Sequence, residues 1–234
     1  MGYRFALFDA DNTLLDFTAA EDHAIKECLL ARGLPTDSET ISLYSAINDG
    51  HWKRLEQGLT TRDRLRVERF SDFFRAVGYG GDPVAMADDY VEALSRQTQL
   101  IDGALELISS LHGRCKLYIV TNGTEWIQRG RLADSGLLPY MQGVFISDLI
   151  GYPKPRVEFF SYVAEHIPAF DRARTVIVGD SLSSDMAGGI AFGIDTCWYN
   201  PDGASAPAEI AEQLTAVVSD FEELERWLRK GEAV

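Results

Sequence analysis

The chain is expected to fold as a doubly wound α/β protein, a parallel sheet interrupted early by an inserted all-helical cap. Three observations carry that expectation. Short apolar runs alternate with helix-like stretches over the second half, polar clusters follow the runs, and the region after the first run holds helix signals without a convincing strand.

The first run, Arg4 to Phe8, is short and apolar and leads straight into acids, so it reads as a buried strand. Thr18 with Glu21 then forms a capping box, Ile25, Cys28 and Leu29 mark a buried stripe, and Gly33-Leu34-Pro35 stops that helix. Ser38 to Gln57 reads as a second helix with a break at Asn48-Asp49-Gly50. Thr60 or Thr61 caps a third that runs to Val77, and Asp82-Pro83 starts a fourth. These signals divide the chain into a core of residues 1-15 and 99-234 and a cap of residues 16-98.

Beyond the cap, Leu117-Val120, Val144-Ile146, Val176-Val178 and Thr196-Tyr199 read as further strands. Ala104, Leu105, Ile108 and Leu111 recur at helical spacing, as do Phe159, Phe160 and Val163, and Ala187, Ile190 and Ala191. Asp220 to Lys230 reads as a last amphipathic helix. A helical insertion after the first strand lies beside the carboxyl ends of the strands, where such sheets bind ligands. It is therefore expected to cover a site.

With 234 residues, 46% of them hydrophobic, the chain can bury a full core and still carry a subdomain. Its 36 acidic against 22 basic residues give a formal charge of -14, which repels polymeric nucleic acid and anionic membranes. A small anion at a local site is still allowed. Cys28, Cys115 and Cys197 are far apart, odd in number and form no CxxC, so neither a disulfide framework nor a zinc site is expected, and a reducing, cytoplasmic setting fits. No apolar run approaches the ~20 residues of a membrane span.

The polar clusters are Asp9-Ala-Asp11-Asn-Thr13, Thr121-Asn122-Gly123, Tyr152-Pro153-Lys154 and Gly179-Asp180-Ser181, with Asp185 four residues further on. A single acid after a strand is usually a cap or turn residue. Asp9, Asp11, Asp180 and Asp185 together would repel one another unless a cation or proton intervened. All-oxygen ligands suit magnesium, and no His or Cys cluster argues for zinc. Thr121 can donate to anionic oxygens and Lys154 supplies a compact positive charge, so the set describes a phosphoryl site.

DADNT, VTNG, a lysine before proline and GDSLSSD, in this order, resemble the four motifs of the haloacid dehalogenase-like hydrolases, over nearly the whole chain. The resemblance implies a Rossmann-like core, with Asp9 as the nucleophile that forms an aspartyl-phosphate and Asp11 as general acid, then base. It implies Mg2+ held by Asp9, the Asp11 main-chain carbonyl and Asp180. Thr121 and Asn122 would bind phosphoryl oxygens, and Lys154 would steady nucleophile and phosphate. Thr13 would brace the nucleophile loop, and Asp185 would support the metal shell or orient Lys154. Asp16 falls where that family has a mobile flap and reads either as part of it or as a solvent-facing turn residue. An acid two residues after the nucleophile separates phosphatases from the dehalogenases, because an alkoxide needs a proton on leaving and a halide does not.

The stretch Ala46 to Gly58, with Thr60-Thr61, is similar to the cap of YjjG-like pyrimidine 5′-nucleotidases, as are FDADNTLLDF, IVTNG and TCWYN in the core. This implies hydrolysis of nucleoside 5′-monophosphates, with a small phosphorylated substrate as the partner. Trp52 could stack on a base and Asn48 read its polar edge, while Lys53 or Arg54 steers an anion; ordinary cap packing explains the same spacing. Tyr152 is bulkier than the residue often found before Pro-Lys, and either narrows or covers the entrance. A phosphatase of small esters such as phosphoglycolate or a sugar phosphate would keep every core residue. A phospho-accepting receiver domain would share the acids, Thr and Lys but not the helical insertion, and a degenerate binding protein would not need every motif position filled. Oligomeric state is not legible.

Overall fold

Apolar runs without a polar face are satisfied only inside a sheet covered on both sides, and the computed structural model, which describes residues 2-229, places them there. The elements in chain order are β1 (Phe5–Phe8), α1 (Phe17–Leu30), α2 (Ser38–Glu56), α3 (Arg62–Val77), α4 (Pro83–Ser95), α5 (Ala104–Leu111), β2 (Lys116–Thr121) and α6 (Glu125–Ala133). There follow β3 (Gly143–Ile146), α7 (Ser147–Ile150), α8 (Val157–His166), β4 (Thr175–Gly179), α9 (Ala187–Phe192), β5 (Asp195–Tyr199), α10 (Ala208–Ala211), β6 (Ala216–Val218) and α11 (Phe221–Arg229).

The strands form one sheet in the order β3-β2-β1-β4-β5-β6, and every neighbouring pair is parallel. Side chains alternate between its two faces. Ala6, Phe8, Leu117 and Ile119 pack with Ala104, Ile108, Leu224 and Leu228 of α5 and α11. Phe5, Leu7, Tyr118 and Val120 pack with Phe159, Phe160, Val163 and Phe192 of α8 and α9. Phe8 stands opposite Ile119 and Val178, so the chain leaves the three central strands along one edge, where β1 separates the two winding directions.

Helices α1 to α4 build their own core from Ile25, Leu29, Tyr44, Phe70, Phe73, Met86 and Tyr90, into which Ile127 of α6 also packs. Entry to and exit from this cap run side by side: Leu15 bridges Leu100 in antiparallel sense, Asp16 N donates to Gln99 O at 3.0 Å and Ile101 N to Leu14 O at 3.0 Å.

Several local expectations are corrected. The first cap helix is not started by a Thr18–Glu21 box: Asp16 is its N-cap, accepting from Ala19 N at 2.9 Å, so it is not an idle turn residue. Thr18 N and Oγ1 both donate to Asn12, whose positive φ of 56° turns the chain after Asp11. No break occurs at Asn48-Asp49-Gly50; α2 is continuous, because the Asn48 side chain is held across the cap rather than competing for its own backbone. Thr61, not Thr60, caps α3, and Asp82 caps α4 ahead of Pro83. In α9 the buried face is Gly188, Gly189 and Phe192, not Ile190 and Ala191. Strand β6 and helix α6 had not been expected, and the last helix covers Phe221–Arg229, with Lys230 outside the described residues. Among the described residues the three cysteines form no disulfide, and no helix is long and apolar enough to cross a membrane.

The glycines of α9 let it lie directly on the sheet. A Cβ on Gly189 would come within 2.7 Å of both Ile177 Cγ2 and Thr196 Cγ2. Gly189→Ala should therefore destabilise the protein by about 1-3 kcal/mol in urea unfolding, the usual cost of overpacking. Wild-type stability would contradict this packing.

Candidate active site

The ammonium of Lys154 stands at the centre of the strand-end cluster. Its Nζ donates to Asp9 Oδ1 at 2.5 Å, Asp185 Oδ1 at 2.6 Å and the Val120 carbonyl at 2.8 Å, which uses all three of its protons. Lys154 and Asp185 are wholly buried and Asp9 nearly so. Asp185 Oδ2 accepts from Ser181 N at 3.2 Å, and a Cβ on Gly179 would come within 2.3 Å of that same oxygen, so only glycine lets this carboxylate approach.

Asp180 is braced by Thr13, whose hydroxyl accepts from Asp180 N at 3.1 Å and donates to its Oδ1 at 3.5 Å. Trp198 Nε1 donates to the Asp180 carbonyl at 2.7 Å. Burial, and then Asp185, push the Asp180 carboxyl up to about 7. Burial also lifts Asp9 well above the ordinary carboxylate range; Lys154 opposes this, and Asp185, Asp180 and Asp11 add to it. Burial alone would lower Lys154, but Asp185 and Asp9 more than offset that and keep it charged. Both partners of the Lys154–Asp9 pair are thus raised. Burial is the larger cause for Asp9, and an excess of carboxylates around one ammonium adds to it and raises the lysine.

That imbalance is the test of a metal. Oxygens of Asp9, Asp180 and Asp185 lie within 4.8 Å of one another, an all-oxygen set that fits a hard divalent cation. Lys154 and Ser181 N occupy Asp185, so Asp9 and Asp180 are the carboxylates best placed to hold it. A cation there would relieve the carboxylate repulsion that adds to burial in raising both.

The other expected residues are partly where they were sought. Thr121 Oγ1 accepts from Gly123 N at 3.0 Å and from Gln128 Nε2 at 2.8 Å, which leaves its own proton free for a ligand oxygen. Asn122 lines the cavity, and its side chain fixes the lysine loop: Oδ1 accepts from Lys154 N at 2.8 Å and Nδ2 donates to Lys154 O at 2.9 Å. Asp11 is engaged at both oxygens, Oδ1 by Arg131 and Oδ2 by Gln128 Nε2 at 2.6 Å. Neither Gln128 nor Arg131 was singled out in the sequence. Their i, i+3 spacing on α6, just after the Thr121 cluster, was the available signal.

One cavity of about 620 Å³ joins this cluster to the cap, where Phe17, Trp52, Leu65, Val91 and Leu94 line it. Trp52 is half-buried on this wall and Lys53 also lines it, whereas Arg54 and Tyr152 do not. Asn48 is fully buried and away from the cavity, donating to Glu21 at 2.6 Å and accepting from Arg69 at 2.8 Å, so it does not read a ligand directly. Cap meets core on two sides of the site. Arg62 donates to the Asn122 carbonyl at 3.0 Å and Ser147 Oγ at 2.5 Å, and Ser183 donates to Glu56 at 2.9 Å.

Comparison with known proteins agrees with this geometry. The haloacid dehalogenase-like hydrolase family model matches residues 3–193. The HAD-hydrolase YfnB of Bacillus subtilis is 44% identical, covering 86% of this chain and 85% of its own. The pyrimidine 5'-nucleotidase PynA of Streptococcus pneumoniae is 42% identical over 86% of this chain and 85% of its own, and the pyrimidine 5'-nucleotidase YjjG of Escherichia coli 31% identical over 98% and 100%. A crystal structure of YfnB bound to magnesium aligns with a TM-score of 0.92 at 42% identity, over 97% of this chain and 99% of that one.

Asp180→Asn removes one of the two best-placed carboxylates and should weaken magnesium binding in titration calorimetry by at least about tenfold, the loss typical even of an outer-shell partner. Wild-type affinity in that variant would exclude Asp180 as a ligand.

Proposed function

The chain belongs to the haloacid dehalogenase-like hydrolases, and from that membership we propose that it is a magnesium-dependent phosphatase of pyrimidine nucleoside 5′-monophosphates, acting in the cytoplasm. It is a phosphoric monoester hydrolase by its relatives. The observation that carries the finer reading is the continuity of one cavity from the carboxylate cluster into a cap chamber where apolar side chains, among them Trp52, Leu65 and Leu94, stand beside charged ones. A phosphate needs the first and a nucleobase the second. A two-carbon ester would leave the cap chamber empty.

In this reading Asp9 is the nucleophile. Lys154 ties down its Oδ1 and leaves Oδ2 to attack phosphorus in line. The P–O bond to the nucleoside breaks as the Asp9–phosphorus bond forms, and Asp11 gives its proton to the departing 5′-oxygen. Asp11 then takes a proton from water, which attacks the aspartyl-phosphate, releases inorganic phosphate and restores Asp9. The Thr121 hydroxyl donates to a phosphoryl oxygen. Asn122 acts through the Lys154 main chain that it holds. Magnesium would be held by Asp9, Asp180 and the Asp11 main-chain carbonyl, and would supply charge neutralisation at the phosphoryl oxygens.

Asp11 accepts hydrogen bonds at both oxygens here, so giving a proton requires it to leave the pairing with Arg131 and Gln128. A substrate that pushes into the space between α6 and the cluster provides the occasion.

Phosphate release from a panel of esters tests the reading. dUMP, UMP or dTMP should exceed phosphoglycolate in kcat/KM by about tenfold or more, chelation of magnesium should silence the protein, and Asp9→Asn should have no turnover. Equal or reversed rates would assign the cap chamber to another ester, and turnover by Asp9→Asn would overturn the mechanism.

A further inference from the structure

The cap holds an arginine whose position no motif explains. Arg69 lies midway along α3, is 5% exposed and lines the cavity. Its guanidinium rests over the rings of Tyr90 and Phe70, 4.7 and 4.9 Å from their centroids. Only Nη1 is engaged, with Asn48 Oδ1 at 2.8 Å; Nε has no partner, and no acceptor among the described residues meets Nη2. The free pair is the side-on fork of the group, the edge with which arginine makes two parallel hydrogen bonds.

The orientation of that fork is built. Ser45 Oγ donates to Glu21 Oε2 at 2.7 Å, Asn48 Nδ2 to Glu21 Oε1 at 2.6 Å, and Asn48 Oδ1 receives the arginine. Glu21 of α1, Asn48 of α2 and Arg69 of α3 thus form a buried relay that supports a cation beside an apolar wall of Leu65, Val91 and Leu94. Nε is the buried one of the pair, and leaving such a donor unpaired is costly unless a ligand meets it.

We infer that Arg69 is a specificity-determining residue, whose free fork donates to the 4-carbonyl oxygen of a pyrimidine base. The inference rests on the nucleotide reading above and deepens it. A guanidinium offers five donors and no acceptor, so its ligand must present lone pairs. The phosphoryl oxygens belong to the core wall, with the Thr121 hydroxyl and the nearby charge of Lys154, which leaves Arg69 an acceptor on the leaving group. In a pyrimidine nucleotide C4 lies across the ring from N1, which carries the sugar, so the 4-oxygen reaches furthest from the phosphate. Uracil and thymine carry a carbonyl there. Cytosine carries an amino group, itself a donor, which the fork turns away. Asn48 is then a positioning residue that works through Arg69.

The test compares kcat/KM for UMP, CMP, the 2-pyrimidinone ribonucleoside 5′-monophosphate, which has no 4-substituent, and ribose 5-phosphate. UMP should exceed CMP and the 2-pyrimidinone nucleotide by about tenfold or more, because a site built to bond a substrate oxygen rejects the analogue without it. Arg69→Lys keeps the charge and loses the fork, and should bring the UMP to CMP ratio close to one. Equal rates for UMP and CMP, both well above ribose 5-phosphate, would overturn the Arg69 assignment alone. A ribose 5-phosphate rate equal to that of UMP would overturn the nucleotide reading and this assignment with it. A ratio that persists in folded Arg69→Lys overturns the assignment too, and should that variant not fold, the wild-type series decides.

Discussion

The site depends on one ammonium group shared by two buried carboxylates. Among the described residues Lys154 carries the only positive charge in direct contact with Asp9 and Asp185, and it is fully coordinated by them and by the Val120 carbonyl. Burying such a group is unfavourable unless every proton is met, and removing a partner from it strands a charge. Much of the surrounding structure follows from that demand. Gly179 is bare so that Asp185 can reach the lysine, Ser181 N fixes the second oxygen of Asp185, and Asn122 grips the lysine main chain at both its N–H and its carbonyl. Asp9 is left with one bound and one free oxygen.

A second layer works on the other acid. Gln128 bonds Thr121 and Asp11 at once, while Arg131 joins Asp11 to the Gln97 carbonyl, 3.0 Å away, at the exit from the cap. Helix α6 therefore touches the Thr121 hydroxyl, the Asp11 carboxylate and the segment on which the cap is mounted. Arg62 adds a tie from α3 to the main chain of Asn122. Cap position and core geometry are linked through these side chains as well as through the packing of Ile127 into the cap core.

The sheet and the core residues were largely legible because both are written locally. A buried strand is a short apolar run, and Asp9, Thr121 and Asp180 each follow or end one. What escaped was written across elements. The capping box of Thr18 and Glu21 was a valid local pattern, but Asp16 took the cap and Glu21 was drawn into the cap interior by Ser45 and Asn48. Asn48 was sought as a ligand contact and is the hinge pin of a relay whose outer end is Arg69. Gln128 and Arg131 have no distinguishing neighbours in the chain. Their meaning comes from Asp11, which lies more than a hundred positions away and meets them only in the fold. Strand β6 is three residues long at a sheet edge, too short for a periodic signal.

The stem at Leu15 and Leu100 has a consequence for how such proteins diversify. The two chain segments that leave and re-enter the core are already hydrogen-bonded to each other, so the core sees the insert as a closed loop of fixed end-to-end distance. Closing a loop costs entropy that grows only logarithmically with its length, about 0.6 kcal/mol per doubling. The sheet is therefore nearly indifferent to how much chain is inserted there. One helical module can be exchanged for another at this point without re-routing a strand, and the selection of substrates can drift while the chemistry of the strand ends stays fixed.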